Sequence, residues 1–206
     1  MDHQPPAEFI LDLFADPRSV VPLVHAVLHT IFFHRFFPSL VPRTLECLDL
    51  TLPYVDDDEL ETMIQQRAAA LGRQLDAERS TSVQQQQQFG GTKGAAGAGG
   101  GGRGQVEVQF FEQRRRKGWL ARDEEVCWES WTVKVTVAEP RTESERAKVR
   151  RAMEQTLLTT AMKIVTFANT HKDHIPPITT QTANPFPYKI NVDQKETGWA
   201  TRMRIY

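Results

Sequence analysis

Residues 128–169 read WESWTVKVTVAEPRTESERAKVRRAMEQTLLTTAMKIVTFAN, and two periodicities meet inside them. Trp131, Val133, Val135 and Val137 alternate with Thr132, Lys134 and Thr136, the pattern of a strand with one buried face. Pro140 stops it. Thr142 and Glu145 then have the spacing of a capping box, in which each side chain takes up a backbone N–H at a helix start. Val149, Met153, Leu157, Ala161, Ile164, Val165 and Ala168 follow at helical spacing, so the longest helix runs to about Asn169. A half-buried strand feeding a long one-sided helix needs a layered domain in which helices cover a sheet.

Working outward, the same logic assigns the other segments. Val106, Val108 and Phe110 alternate with Gln105, Glu107 and Gln109 as a second strand; the connection from Gln113 to Cys127 is too long for a tight hairpin. Leu48, Leu50 and Leu52 alternate with Asp49 and Thr51 as a third, closed by Pro53. Between Ser19 and Phe33, Val20, Val24, Val27, Leu28 and Ile31 form a helical stripe, with Pro22 in the first turn and His25 and His29 on the opposite face. Asp56 with Glu59 opens a further helix, whose stripe is Leu60, Met63, Ile64, Leu71 and Leu75. Tyr188, Ile190 and Val192, then Trp199, Thr201, Met203 and Ile205, predict a C-terminal pair of strands. Residues 76–104 hold a glutamine run and nine of the chain's 12 glycines, and are expected to be a disordered loop inside a single domain spanning 1–206. Strands in neighbouring pairs, without βαβ alternation, predict an α+β fold: an antiparallel sheet with three helices packed on one face.

Composition narrows function. The 25 basic and 26 acidic side chains cancel, giving no general attraction to nucleic acid. No apolar run reaches the ~20 residues needed to cross a bilayer; the longest, Leu23 to Phe37, is broken by His25, His29, His34 and Arg35. Two distant cysteines, Cys47 and Cys127, read as reduced core thiols in a cytoplasmic protein.

The search for chemistry yields little. No GxSxG or comparable nucleophile motif is present, so an enzyme is not expected. His25 and His29 lie one helical turn apart, a spacing that suits zinc, yet no third ligand is evident in the sequence and no metal or other cofactor is expected. His171 and His174 read as a solvated helix end, Arg114 to Lys117 as a solvated basic loop, and Asn184-Pro185-Phe186 as a turn. Trp119-Leu120 differs. It sits between RRRKG and ARDEE in the long connection, and an exposed tryptophan in such a loop anchors interfaces.

Four stretches together resemble the autophagy-related protein 101 family: AVLHTIFFHR (26–35), LDLTLPYVDDDEL (48–60), QVEVQFFEQRRRKGW (105–119) and WESWTVKVTV (128–137). The segment from Ala161 to Pro177 and PYKINV (187–192) extend the likeness. The resemblance implies a HORMA fold of the open type, without a C-terminal belt closed around a peptide; the short terminal hairpin from Tyr188 to Tyr206 agrees. It implies a non-catalytic subunit of the autophagy-initiation kinase complex at the phagophore assembly site, paired with the HORMA domain of autophagy-related protein 13. It also implies an exposed Trp-Phe finger that recruits downstream autophagy factors. Trp119 takes the Trp position, Ala121 stands where the Phe would be and Leu120 replaces the usual proline, so the finger is partial. The rival reading is a HORMA adaptor of a checkpoint or DNA-repair assembly that closes over a peptide.

Overall fold

The computed structural model describes residues 5–38, 41–88, 102–114, 124–178 and 184–192. In chain order the elements are β1 (Ala7–Ala15), α1 (Val20–Arg35), β2 (Arg43–Cys47), β3 (Leu50–Tyr54), α2 (Asp58–Gln88), β4 (Arg103–Arg114), β5 (Glu124–Val137), α3 (Glu143–Thr170) and β6 (Tyr188–Val192). Four strands form one sheet in the order β1-β5-β4-β6, and β2 and β3 form a separate hairpin. The α+β class is as expected. The sheet, however, is mixed rather than antiparallel: β1 runs parallel to β5, from Ala7 opposite Glu129 to Ala15 opposite Val137, while β4 is antiparallel to both β5 and β6.

The core follows from strand alternation. Phe9, Leu11 and Leu13 of β1, Trp131, Val133 and Val135 of β5, and Val106, Val108 and Phe110 of β4 all point to one face and are buried. The helices lie on that face. α3 packs on β1, α1 on β5, and α2 on β4 and β6, with α1 between the other two. This central position explains why α1 is buried almost all round. Its side chains Leu23, Val24, Ala26, Val27, Leu28, Ile31 and Phe32 are all within the core, rather than one stripe of them.

Four differences from the sequence reading have physical causes. Residues 7–15 receive no element in that reading, yet AEFILDLFA alternates and forms the edge strand β1. Leu48 belongs to no strand: it turns the chain between β2 and β3 at a positive φ of 53°, an uncommon conformation for a leucine. A two-residue hairpin without Gly or Asn gives no turn signal, so its alternation imitates one strand. Segment 76–104 is not a loop throughout, because α2 continues through Gln88 and Arg103 and Gly104 open β4. Once a helix is nucleated by packing at Leu60, Ile64, Leu71 and Leu75, residues with good propensity extend it at little cost. Residues 89–101 of that segment lie outside the described residues. Lastly, the cap of α2 sits one residue later than expected: Asp57 Oδ1 accepts the Leu60 N–H at 2.9 Å.

Candidate interaction site

Of the large apolar side chains exposed among the described residues, those that lie on a helix are both on α3. Its start is fixed by the expected capping box. Glu145 N–H donates to Thr142 Oγ1 at 3.2 Å, and the Arg141 and Thr142 N–H groups donate to Glu145 Oε2 at 2.7 and 3.2 Å. Those backbone N–H bonds hold the Glu145 carboxyl below the usual carboxylate range. Met153, Leu157, Thr160, Ala161, Ile164 and Ala168 face inward. Along β1, Thr160 Oγ1 donates to the Asp12 carbonyl at 2.6 Å and Asp16 N–H donates to Met153 Sδ at 3.2 Å, so α3 shields part of the sheet's edge.

On the outer side, Leu158 is 49% exposed and Met162 57% exposed. Four residues apart on one helix, they stack as a single apolar patch, one turn above the other. One turn nearer the N-terminus, Arg150 donates to Glu154 at 2.8 Å and reaches Asp49 in the β2–β3 turn at 3.2 Å. An apolar pair bordered by a charged pair has the composition of an interface core and its rim.

The residues singled out in the sequence fare unequally. Trp119 and Leu120 lie outside the described residues, as does the second strand of the C-terminal pair. Asn184-Pro185-Phe186 is a turn, with the Phe186 N–H donated to Asn184 Oδ1 at 3.3 Å and the Phe186 ring buried against Phe37 and Trp128. Cys47 and Cys127 are free thiols, and burial pushes both pKa values up, away from nucleophilic chemistry. Arg114 pairs with Glu112 at 2.7 Å.

The histidines correct two expectations. His174 is not a solvated helix end. Its Nε2 is 2.7 Å from Oε2 of Glu129, a carboxylate with no exposed surface. Arg35 Nε donates to both oxygens of Glu129 at 2.8 and 3.0 Å, and the Trp131 indole N–H donates to Oε1. The rest of the Arg35 guanidinium donates to the carbonyls of His34, Ala168 and His171, which places a cation at the C-terminal end of α3. This cluster ties α1, β5, α3 and the segment after α3 into one unit.

His25 and His29 do not point away from the core either. His29 is fully buried, stacked on Tyr54 at 4.4 Å, and both rings meet Glu61 of α2. Glu61 is the third side chain that sequence spacing could not supply, since it is brought in by tertiary packing 32 residues downstream of His29. Among the described residues, this trio is the one group of His, Cys, Asp or Glu side chains whose ligand atoms converge as they would around a metal ion.

The chain has extensive relatives. The family model described as Autophagy-related protein 101 matches residues 12–182. The human protein of that name is 27% identical over 225 residues, covering 95% of this chain and 93% of the relative. The Schizosaccharomyces pombe protein is 24% identical, covering 88% and 84%. The Arabidopsis thaliana protein is 22% identical with the same two coverages.

Proposed function

This chain belongs to the autophagy-related protein 101 family, and from that premise we propose that it is a non-catalytic HORMA adaptor that heterodimerises with the HORMA domain of autophagy-related protein 13 and stabilises it within the autophagy-initiation kinase complex. A role in autophagy follows from the family and from its similarity to the named relatives. The finer reading takes support from the surface. Leu158 and Met162 form an apolar patch on α3, which carries the capping box but at 28 residues is shorter than the 31-residue α2, contrary to the sequence expectation, and the Arg150–Glu154 pair borders it. Burying such a patch against a second module supplies binding free energy at about 25 cal/mol per Å2 of apolar area. Stable interfaces commonly remove roughly 1,600 Å2 from solvent in total, so the patch is the centre of a wider contact. Trp119 and Leu120 remain the residues assigned to recruiting downstream factors at the phagophore assembly site. Among the described residues no helix is long and apolar enough to cross a membrane.

The observation that carries the reading is the exposed Leu158–Met162 patch on α3. Size-exclusion chromatography of the purified chain with the partner's HORMA domain tests it. One co-eluting peak at micromolar concentration and a raised melting temperature are expected. The Leu158→Glu, Met162→Glu double variant should separate the peaks while leaving the isolated chain folded. Co-elution undiminished by that variant would place the interface elsewhere, and two peaks with the unaltered chain would refute the partnership.

A further inference from the structure

His25 and His29 share one face of α1 because they are four residues apart. That face meets the first turns of α2, which carry Asp58, Glu59 and Glu61. His25 Nε2 lies 3.0 Å from each Glu61 oxygen and His29 Nε2 lies 2.8 Å from Oε2. The three ligand atoms are all within 4.8 Å of one another. The side chains are 18%, 0% and 35% exposed respectively, so the trio is walled on the core side and open on the Glu61 side. Tyr54 closes one flank by stacking on His29.

We propose that His25, His29 and Glu61 form a three-ligand site for a divalent transition-metal cation of the zinc class, which cross-links α1 to α2. A tetrahedral ion with bonds of about 2.0–2.1 Å sets neighbouring ligand atoms roughly 3.3 Å apart. The nitrogen–oxygen separations of 2.8–3.0 Å fall a few tenths of an ångström short of that, and the two ring nitrogens lie within 4.8 Å of each other, so side-chain rotation has to adjust the set around an ion. Two imidazoles and one carboxylate are borderline N/O donors that select zinc, copper or nickel over magnesium or calcium. Three protein ligands leave the fourth position to water on the open side. Burial, together with the neighbouring His25, lowers the His29 pKa to about 4, so its ring is neutral and able to bind a cation at neutral pH. Burial pushes the Glu61 pKa up, but the hydrogen bonds and charge interactions with His25 and His29 together outweigh it and hold the carboxyl below the usual carboxylate range, ionised as a ligand must be.

One contact tempers affinity. His29 Nδ1 accepts a long 3.4 Å bond from the Val55 N–H. A cation on Nε2 moves the ring proton to Nδ1 and breaks that bond, where strong sites have a carbonyl or carboxylate waiting for the proton. The site is therefore a moderate binder of ions that favour imidazole.

Calorimetric titration of the untagged full chain with Zn2+ tests the proposal, with Co2+ as an optical probe. One ion per chain, a higher melting temperature and the visible absorption of four- or five-coordinate Co2+ are expected. His25→Ala and Glu61→Gln should each weaken binding by roughly tenfold or more. Both side chains are partly exposed, and circular dichroism without metal verifies that the variants fold. His171→Ala, at an exposed position, should bind as the unaltered chain does. No zinc bound, or affinity untouched by both ligand substitutions, or affinity lost in the His171 variant, would overturn the assignment.

Discussion

Helix α1 is tied to its surroundings at two polar clusters, and they differ in what they leave to solvent. At its C-terminal end Arg35 meets Glu129, His174 and Trp131, and the Glu129 carboxylate has no exposed surface. Midway along the helix, His25 and His29 meet Glu61, which is 35% exposed. Both clusters contain histidine and one glutamate contributed from elsewhere in the chain. Burial separates their roles. A charge wholly withdrawn from water tolerates no change of partner, because each lost contact leaves an uncompensated ion. A carboxylate with one open side can exchange a proton, a water or a cation at small cost. The first cluster is a structural tie; the second has the freedom a binding site requires.

That contrast is broken or sharpened most by Glu129→Ala, which strands Arg35 without its buried partner. Urea unfolding should show a loss of about 3–5 kcal/mol; a loss below ~1 kcal/mol would mean the tie is not structural. Acidification probes the second cluster. The His29 pKa is about 4 in the folded chain against 6.5 for an unperturbed histidine. The unfolded chain therefore takes up the proton first as pH falls, and stability declines between about pH 6.5 and 4, by up to about 3 kcal/mol. Glu61 is lowered as well and loses its contribution in the same direction as pH falls further, toward its folded pKa. Urea midpoints measured across this range should slope downward with acid, and His29→Gln should flatten the slope above pH 4.5. His174→Ala removes one bond to a charged acceptor but spares the Arg35 pair, and should cost about 2 kcal/mol in the same assay. His25→Ala, at the open cluster, should cost under ~1 kcal/mol without metal. A larger loss there than at His174 would reverse the contrast.

Much of the fold can be read from the chain. The period-2 runs at Val106–Phe110 and Trp131–Val137, and the Thr142/Glu145 box opening α3, are local signals, and each appears where its spacing places it. β1 carries the same signal in Phe9, Leu11, Leu13 and Ala15. Its parallel pairing with β5 joins segments more than 100 residues apart, which no local pattern encodes. The bulge at Phe110/Phe111 is similarly hidden: Phe110 pairs with Glu129 but Phe111 with Cys127, so Trp128 is the extra residue on β5, and Phe111, on the face away from the core, is covered by Lys189 at 4.4 Å.

The sites were less legible, for a related reason. The Asn184-Pro185-Phe186 turn behaves as its immediate neighbours suggest, whereas of the two expected core thiols only Cys47 is in the core and Cys127 is half-buried on β5. The surroundings of His29 and His174 depend on Glu61 and Glu129, which are supplied by other elements, so both histidines looked like surface residues. The α3 patch is intermediate. Leu158 and Met162 lie off the inner stripe that spacing defines, but their exposure becomes plain only once α1 and β1 are seen covering the other side.

The most direct test of the adaptor account is the methyl NMR signal of Met162 in chain labelled at methionine methyl groups, followed as the HORMA domain of autophagy-related protein 13 is added. The account predicts that the Met162 resonance shifts or broadens in proportion to complex formed, while that of Met153, buried at 3% exposure, barely moves. A complex that forms with the Met162 signal unchanged would contradict the α3 interface.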